Sequence, residues 1–217
     1  MKKTILTRVL DLLYPPRCAF CRKLLLDSES GVCRRCLKSL PRPPVGARRE
    51  VRNTTFCVAP LLYEGTVRES LLRYKFHGLS AYGRVYADFL AKCIDENEIS
   101  CDIITWVPLS RKRLRRRGYD QARILAEETA GRLGLPCEKL LEKRIDNKPQ
   151  SSTGSMEKRM ANARGVYACP DEERVRGKRI LLIDDIVTTG ATLSECAGVL
   201  KKTGCAEVYA AAAASRQ

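Results

Sequence analysis

The stretch Ile180-Leu181-Leu182-Ile183-Asp184-Asp185-Ile186-Val187-Thr188-Thr189-Gly190-Ala191-Thr192 decides the fold. Four consecutive apolar residues read as a strand buried on both faces, the pattern of a parallel sheet covered by helices. Two acids follow at the carboxyl end of that strand. A short loop then enters a helix, Ala191–Lys202, which stops at Gly204. Ligands of open α/β sheets bind outside the carboxyl ends of the strands. Gly190 lets the backbone approach a ligand closely. The amides of Thr189 to Thr192 open a helix N-terminus, where unpaired donors and the positive dipole end favour a phosphate. Val187, Thr188, Thr189, Gly190, Ala191 and Thr192 are therefore the candidate phosphate loop, with three threonine hydroxyls adding donors. Asp184 and Asp185 cannot take a phosphate. They suit hydroxyl groups or a hydrated magnesium ion. An apolar run before two acids also resembles the second nucleotide motif of ATPases. That motif requires a Gly-x-x-x-x-Gly-Lys-Ser/Thr loop elsewhere, and the chain has none. It also lacks Gly-x-Gly-x-x-Gly, which argues against a dinucleotide site.

Outward from this motif, strands and helices alternate. Ile103–Val107 reads as a buried strand, and Tyr119–Leu133 as a helix with Ala122, Leu125, Ala126, Thr129 and Leu133 inward. Lys139–Glu142 reads as a short strand, and Val208–Ala214 as the last one. Upstream, Thr55–Tyr63 is strand-like and two helices follow it. In the second of these, Tyr82, Val85, Tyr86, Phe89, Leu90 and Cys93 share one face. Residues 144–165 are polar and read as a long loop. Alternation of this kind predicts an α/β fold with a parallel sheet.

The N-terminal quarter reads differently. Residues 4–14 have amphipathic helical spacing and stop before Pro15-Pro16. Cys18-x-x-Cys21 and Cys33-x-x-Cys36 follow, separated by eleven residues. Each pair can chelate from a tight turn, and four thiolates give a closed tetrahedral zinc site. A four-cysteine site leaves no position open for water, so the zinc is structural. A module this small buries too little core alone, and metal binding supplies its folding energy. Residues 41–53 are rich in Pro, Arg and Gly and read as a basic linker. Two units result: 1–53, comprising helix, zinc module and linker, and 54–217. The other seven cysteines are scattered among apolar residues and read as buried, inert thiols.

Hydrophobic residues make up 44% and charged residues 30% of 217, enough for a packed core. No apolar run reaches membrane-spanning length. Arg8 and Asp11 interrupt the first apolar stretch, so it does not read as a signal peptide, and a cytoplasmic protein with reduced thiols is expected. The net charge of +15 is local. Residues 1–53 carry a net +9 and residues 111–117, Arg-Lys-Arg-Leu-Arg-Arg-Arg, a net +6. Such stretches attract polyanions, single-stranded DNA or pyrophosphate among them, or form a solvated surface.

The acid-pair segment resembles the phosphoribosyl-pyrophosphate (PRPP) motif of type I phosphoribosyltransferases. In those enzymes the acids meet the ribose hydroxyls and the next loop holds the 5-phosphate. Nearly the whole chain is similar to the competence protein F (ComF) family, which joins a four-cysteine zinc module to this fold. The two cysteine pairs carry the resemblance, together with Val107-Pro108-Leu109-Ser110-Arg111, Arg117-Gly118-Tyr119-Asp120-Gln121-Ala122, and the spaced Gln150, Arg159 and Asn162. It implies a type I phosphoribosyltransferase fold. It implies that Ser110, Arg111 and the backbone near Leu109 meet pyrophosphate, and that 144–165 is the segment closing over PRPP, with Arg159 a ligand contact. Magnesium would arrive with PRPP. Asp184 and Asp185 would hold the ribose, and Asp185 could accept a proton. Two roles stay open: a phosphoribosyltransferase acting on a nitrogen base, or a PRPP-binding module in DNA uptake during natural transformation. The partners implied for the second are single-stranded DNA and other competence proteins, such as the ComF-operon helicase. His77, the only histidine, receives no catalytic role.

Overall fold

The computed structural model describes residues 15–76, 80–145 and 165–216. The expected helix over 4–14, His77, Gln150, Arg159, Asn162 and most of the 144–165 loop lie outside these residues. A four-stranded, all-parallel sheet organises the rest. It comprises β1 (Cys57–Val58), β2 (Ile103–Trp106), β5 (Arg179–Val187) and β6 (Glu207–Ser215), in the order β1-β6-β5-β2. Side chains of β5 alternate between two cores, because successive strand residues point to opposite faces. Leu181 and Ile183 join one core, with α2 (Gly65–Phe76), α3 (Tyr82–Glu96) and α5 (Gln121–Leu133). Ile180 and Leu182 join the other, with α6 (Ala191–Lys202) and the antiparallel pair β3 (Glu142–Lys143) and β4 (Tyr167–Ala168). Ala210 to Ala214 of β6 are fully buried. Small side chains there let helices approach both faces closely, and this overrides the weak strand preference of alanine.

Several expectations shift in detail. The strand-like run 55–63 yields only the two-residue β1, beyond which Pro60 has no N–H for a ladder; Leu62 then makes an isolated bridge to Ser215. The strand expected at 139–142 sits at 142–143, and its partner β4 was not anticipated. Leu140 and Leu141 are instead core residues. β5 does not end before the acids. It continues through Asp184 and Asp185 and pairs with β6 as far as Val187↔Ser215. The basic run 111–117 is a helix, α4 (Arg111–Arg117), capped by the Ser110 hydroxyl and ended at Gly118 with φ +81°.

The N-terminal module holds the short helix α1 (Arg34–Ser39) and packs into the same core as α3. Phe20 is buried edge-on against Tyr86 and Phe89, with centroids 5.7 and 6.0 Å apart. Gly31 has φ +69°, and a Cβ there would lie 2.5 Å from Val85 Cγ2, so only glycine lets this backbone rest on α3. The segment 41–53, which reads as a linker, is docked. Arg49 exchanges both backbone hydrogen bonds with Cys57, Arg48 lies 4.2 Å over the Phe56 ring, and Val51 is buried.

Candidate functional site: an acid pair beside a helix N-terminus

Asp184 and Asp185 stand at the carboxyl end of β5. Val187 to Thr192 run directly from them into α6, whose N-cap is Gly190 at φ +77°. The loop is held from below. Arg49 donates one hydrogen bond to the Thr188 carbonyl and a second, of 2.8 Å, to that of Arg216. Val51 packs under Gly190 so closely that a Cβ there would meet Val51 Cγ2 at 3.0 Å. Thr189 Oγ1 accepts weakly from the Ala191 amide at 3.4 Å. Trp106 of β2 pairs with Ile183, so the turn Pro108-Leu109-Ser110 also opens beside the acids. Ser110 is buried with its hydroxyl capping α4, and Arg111 is exposed. The Leu109 amide donates to Asp120 Oδ2 at 3.2 Å. Among the described residues, the predicted acid pair, the loop to Thr192 and the Ser110–Arg111 turn therefore lie at or just beyond the carboxyl ends of two paired strands, β5 and β2, while the four cysteines form a separate cluster.

The two acids differ electrostatically, because alternation along β5 sends them to opposite faces. Asp184 shares its surroundings with Tyr167 and Cys196. Loss of solvation there, followed by the charge of Asp185, pushes its carboxyl well above the usual range, against the pull of Lys75. Its Oδ1 accepts from the Asp185 amide at 2.8 Å. Asp185 lies on the α2 side and is buried, with its Oδ2 2.8 Å from Lys75 Nζ. Arg117 and Asp120 are near enough to feel its charge. Lys75 and Arg49 were not foreseen as site residues. Neither belongs to a local pattern, and each reaches the site from a distant part of the chain.

Magnesium does not fit as an ion caged by the protein. The carboxylates diverge, one is held by a lysine and the other is pushed toward its protonated form. Among the described residues, the only group of three or more metal-ligand side chains within reach of one ion is Cys18, Cys21, Cys33 and Cys36. Those four do fit zinc. Their sulfurs all lie within 4.8 Å of one another, and Cys21 and Cys33 are 3.6 Å apart. Zn–S bonds of about 2.3 Å in a tetrahedron place sulfurs roughly 3.8 Å apart. Burial pushes Cys18 up, but the amides of Cys33, Cys21 and Phe20 outweigh it and bring the thiol down to about 7. Burial and the three neighbouring sulfurs push Cys36 strongly up. Four crowded thiols cannot all ionise unaided, and a bound dication resolves that conflict.

Comparison with known proteins agrees with this anatomy. Residues 120–217 match the phosphoribosyl transferase domain family, and residues 9–48 match the double zinc ribbon domain family. The matched N-terminal stretch contains four cysteines and no histidine, ligands for one ion. Competence protein ComFC of Bacillus subtilis is 29% identical over 211 residues, covering 91% of this chain and 83% of that protein. Competence protein F of Haemophilus influenzae is 25% identical over 214 residues, covering 88% and 93%. The chain is a homologue of the ComFC and competence protein F proteins. This ComF relationship extends to the DNA utilization protein YhgH of Escherichia coli K12, 30% identical over 107 residues, about half of each chain. The fold expected of a ComF homologue is the one observed: a parallel sheet carrying the acid-pair loop, joined to a four-cysteine zinc module. No helix among the described residues is long and apolar enough to cross a membrane.

Proposed function

We propose that this ComF homologue is a cytoplasmic PRPP-binding protein serving DNA uptake. One observation carries the reading: a strand bearing two carboxylates near its carboxyl end leads through a short loop into a pinned, glycine-capped helix N-terminus. Carboxylates accept hydrogen bonds from vicinal hydroxyls, and free helix amides donate to a phosphate. A 5-phosphorylated ribose has both groups at the required separation of a few bonds. Thr188, Thr189, Gly190, Ala191 and Thr192 would hold the phosphate, and Asp184 and Asp185 the ribose. Ser110 and Arg111 would meet the pyrophosphate, and Arg159 would contact PRPP from the 144–165 segment. Magnesium would enter on that pyrophosphate rather than on the chain's own acids. The division into 1–53 and 54–217 is kept as the boundary between the zinc-bearing and ligand-binding units.

The names of the relatives support the DNA-uptake context, and the cations of α4 supply a surface for the backbone of single-stranded DNA. Other competence proteins, including the helicase encoded with ComF, are the protein partners in this reading. Base transfer, with Asp185 accepting a proton, receives less support. Lys75 engages that carboxylate at 2.8 Å, so it would have to be released first.

Thermal unfolding with PRPP and magnesium tests the reading. Ligand that prefers the native state raises the midpoint by mass action. Protection should be lost in Asp184→Asn/Asp185→Asn. Thr189→Val should weaken protection by ribose 5-phosphate, by removing a hydroxyl next to the phosphate. Equal protection of all variants places the ligand elsewhere, and no protection of the wild type leaves a pocket without this ligand.

A further inference from the structure

Lys75 lies outside the motifs that pointed to the site, yet it makes the shortest charged contact with the acid pair. Its Nζ is 2.8 Å from Asp185 Oδ2, and the two side chains are only 18% and 12% exposed. Lys75 occupies the last turn of α2, where carbonyls lack partners within the helix. The α4–α5 connection supplies them. The Tyr119 hydroxyl donates to the Tyr74 carbonyl, and Gln121 Nε2 donates to the carbonyl of Lys75 itself at 3.5 Å. In return the Tyr74 hydroxyl donates to the Gln121 carbonyl at 2.8 Å. Arg117 donates to Gln121 Oε1 at 2.7 Å, and its guanidinium lies 5.2 Å over the Phe76 ring. The segment Arg117-Gly118-Tyr119-Asp120-Gln121, one of those that identified the family, thus clamps the end of α2. The clamp fixes where the Lys75 ammonium stands.

A carboxylate with one oxygen on an ammonium still has lone pairs for hydroxyl donors. Stripped of that ammonium, the mostly buried Asp185 carboxylate, with Asp120 near enough to feel its charge, attracts a hard dication in its place. We propose that Lys75 is the resident cation of the acid pair: it aims Asp185 at a ribose hydroxyl and keeps a divalent ion off that carboxylate, so a phosphorylated sugar binds without metal at its hydroxyl end. The sugar half of this proposal rests on the phosphosugar reading above. The metal half does not. Lys75 acts through Asp185 and is a positioning residue.

The experiment uses the full-length, zinc-loaded chain and has two arms. In the first, magnesium alone is titrated calorimetrically. Wild type should show no uptake that Asp185→Asn removes. Lys75→Met should gain a site, and Lys75→Met/Asp185→Asn should lose it again. In the second arm, ribose 5-phosphate is titrated in magnesium-free buffer. Wild-type affinity should be the same with and without magnesium. Lys75→Met should bind at least about tenfold more weakly, as expected when a mostly buried charge loses its partner, and added magnesium should restore much of the loss. Lys75→Arg, which keeps the charge, should stay close to wild type and guards against a folding defect in Lys75→Met. Magnesium uptake by wild type at Asp185, or a Lys75→Met chain that takes up no magnesium, overturns the proposal. If ribose 5-phosphate fails to bind wild type, the phosphosugar reading falls and the sugar half with it; the magnesium arm still decides the metal half.

Discussion

Asp184 illustrates what a binding site costs a fold. Its carboxyl is pushed above its unfolded value of about 3.9 by lost solvation and by Asp185. An acid shifted this way binds its proton more tightly when folded. The destabilisation is therefore absent below about pH 3.9, grows as pH rises from there toward the raised folded value, and is fully present above it. Asp184→Asn keeps the acceptor for the Asp185 amide and removes the charge. It should raise the denaturation midpoint above neutral pH by about 2–4 °C, the shift roughly 1 kcal/mol produces in a domain of this size. Near pH 3.5 it should do nothing, and phosphosugar affinity should fall in the same variant. Melting curves across pH check this; a midpoint that drops at every pH rules it out. The strand–acid pair–loop–helix order and the four-cysteine cluster were legible in the sequence because each is a compact local pattern. Lys75 and Arg49 were not. Arg49 meets Thr188 from 139 positions away, and nothing local in the chain announces such a pairing.

Among the elements, α4 is the one the sequence concealed. Six cations in seven residues repel one another at helical spacing and suggest an open, solvated run. The helix forms because its ends are specified. Ser110 caps the first turn, and Gly118 takes the left-handed conformation that stops it. Once it is helical, its cations separate into two groups. Arg111, Lys112, Arg115 and Arg116 are exposed, whereas Arg113 is half-buried and Arg117 turns inward to Gln121 and Phe76. If α4 contacts a nucleic-acid backbone, Arg115→Ala/Arg116→Ala should lower the slope of log affinity against log salt by up to about two units, one for each phosphate no longer neutralised. Arg117→Ala should lower thermal stability instead, through the freed end of α2. Filter binding of single-stranded DNA over a salt series measures the slope. Absence of binding at low salt assigns these charges to solvent. The acids were misplaced at this scale for a related reason. Four apolar residues mark the buried part of β5, but the ladder to β6 continues into polar sequence as far as Val187.

At the scale of the molecule, the zinc module and the sheet domain share one core. Composition could not reveal this, since Pro, Arg and Gly in 41–53 read as a spacer while Arg48, Arg49 and Val51 in fact dock. Purified protein should contain about one zinc per chain. Cys33→Ser should lower that content and open residues 15–40 to protease, because Cys33 also caps α1 and accepts from the Cys36 amide. Full metal content with unchanged protease resistance in Cys33→Ser would remove it from the ligand set. The spine between the two units is α2. Arg73 donates to the carbonyls of Phe20 and Ala19, inside the turn between Cys18 and Cys21, at 2.6 and 3.1 Å. Two residues later Lys75 grips Asp185. One helical turn thus touches both the metal knuckle and the carboxylate, and this has a thermodynamic corollary. Whatever zinc does to sugar-phosphate affinity, the sugar phosphate must do to zinc affinity by the same factor, because the four states close a cycle. Chelator competition with and without ribose 5-phosphate should therefore return the same ratio as ribose 5-phosphate titrations of zinc-loaded and zinc-stripped chains. A ratio of one would mean that Arg73 and Lys75 respond independently and that the metal is a rivet; a ratio away from one would mean that α2 carries strain between the metal knuckle and the carboxylate.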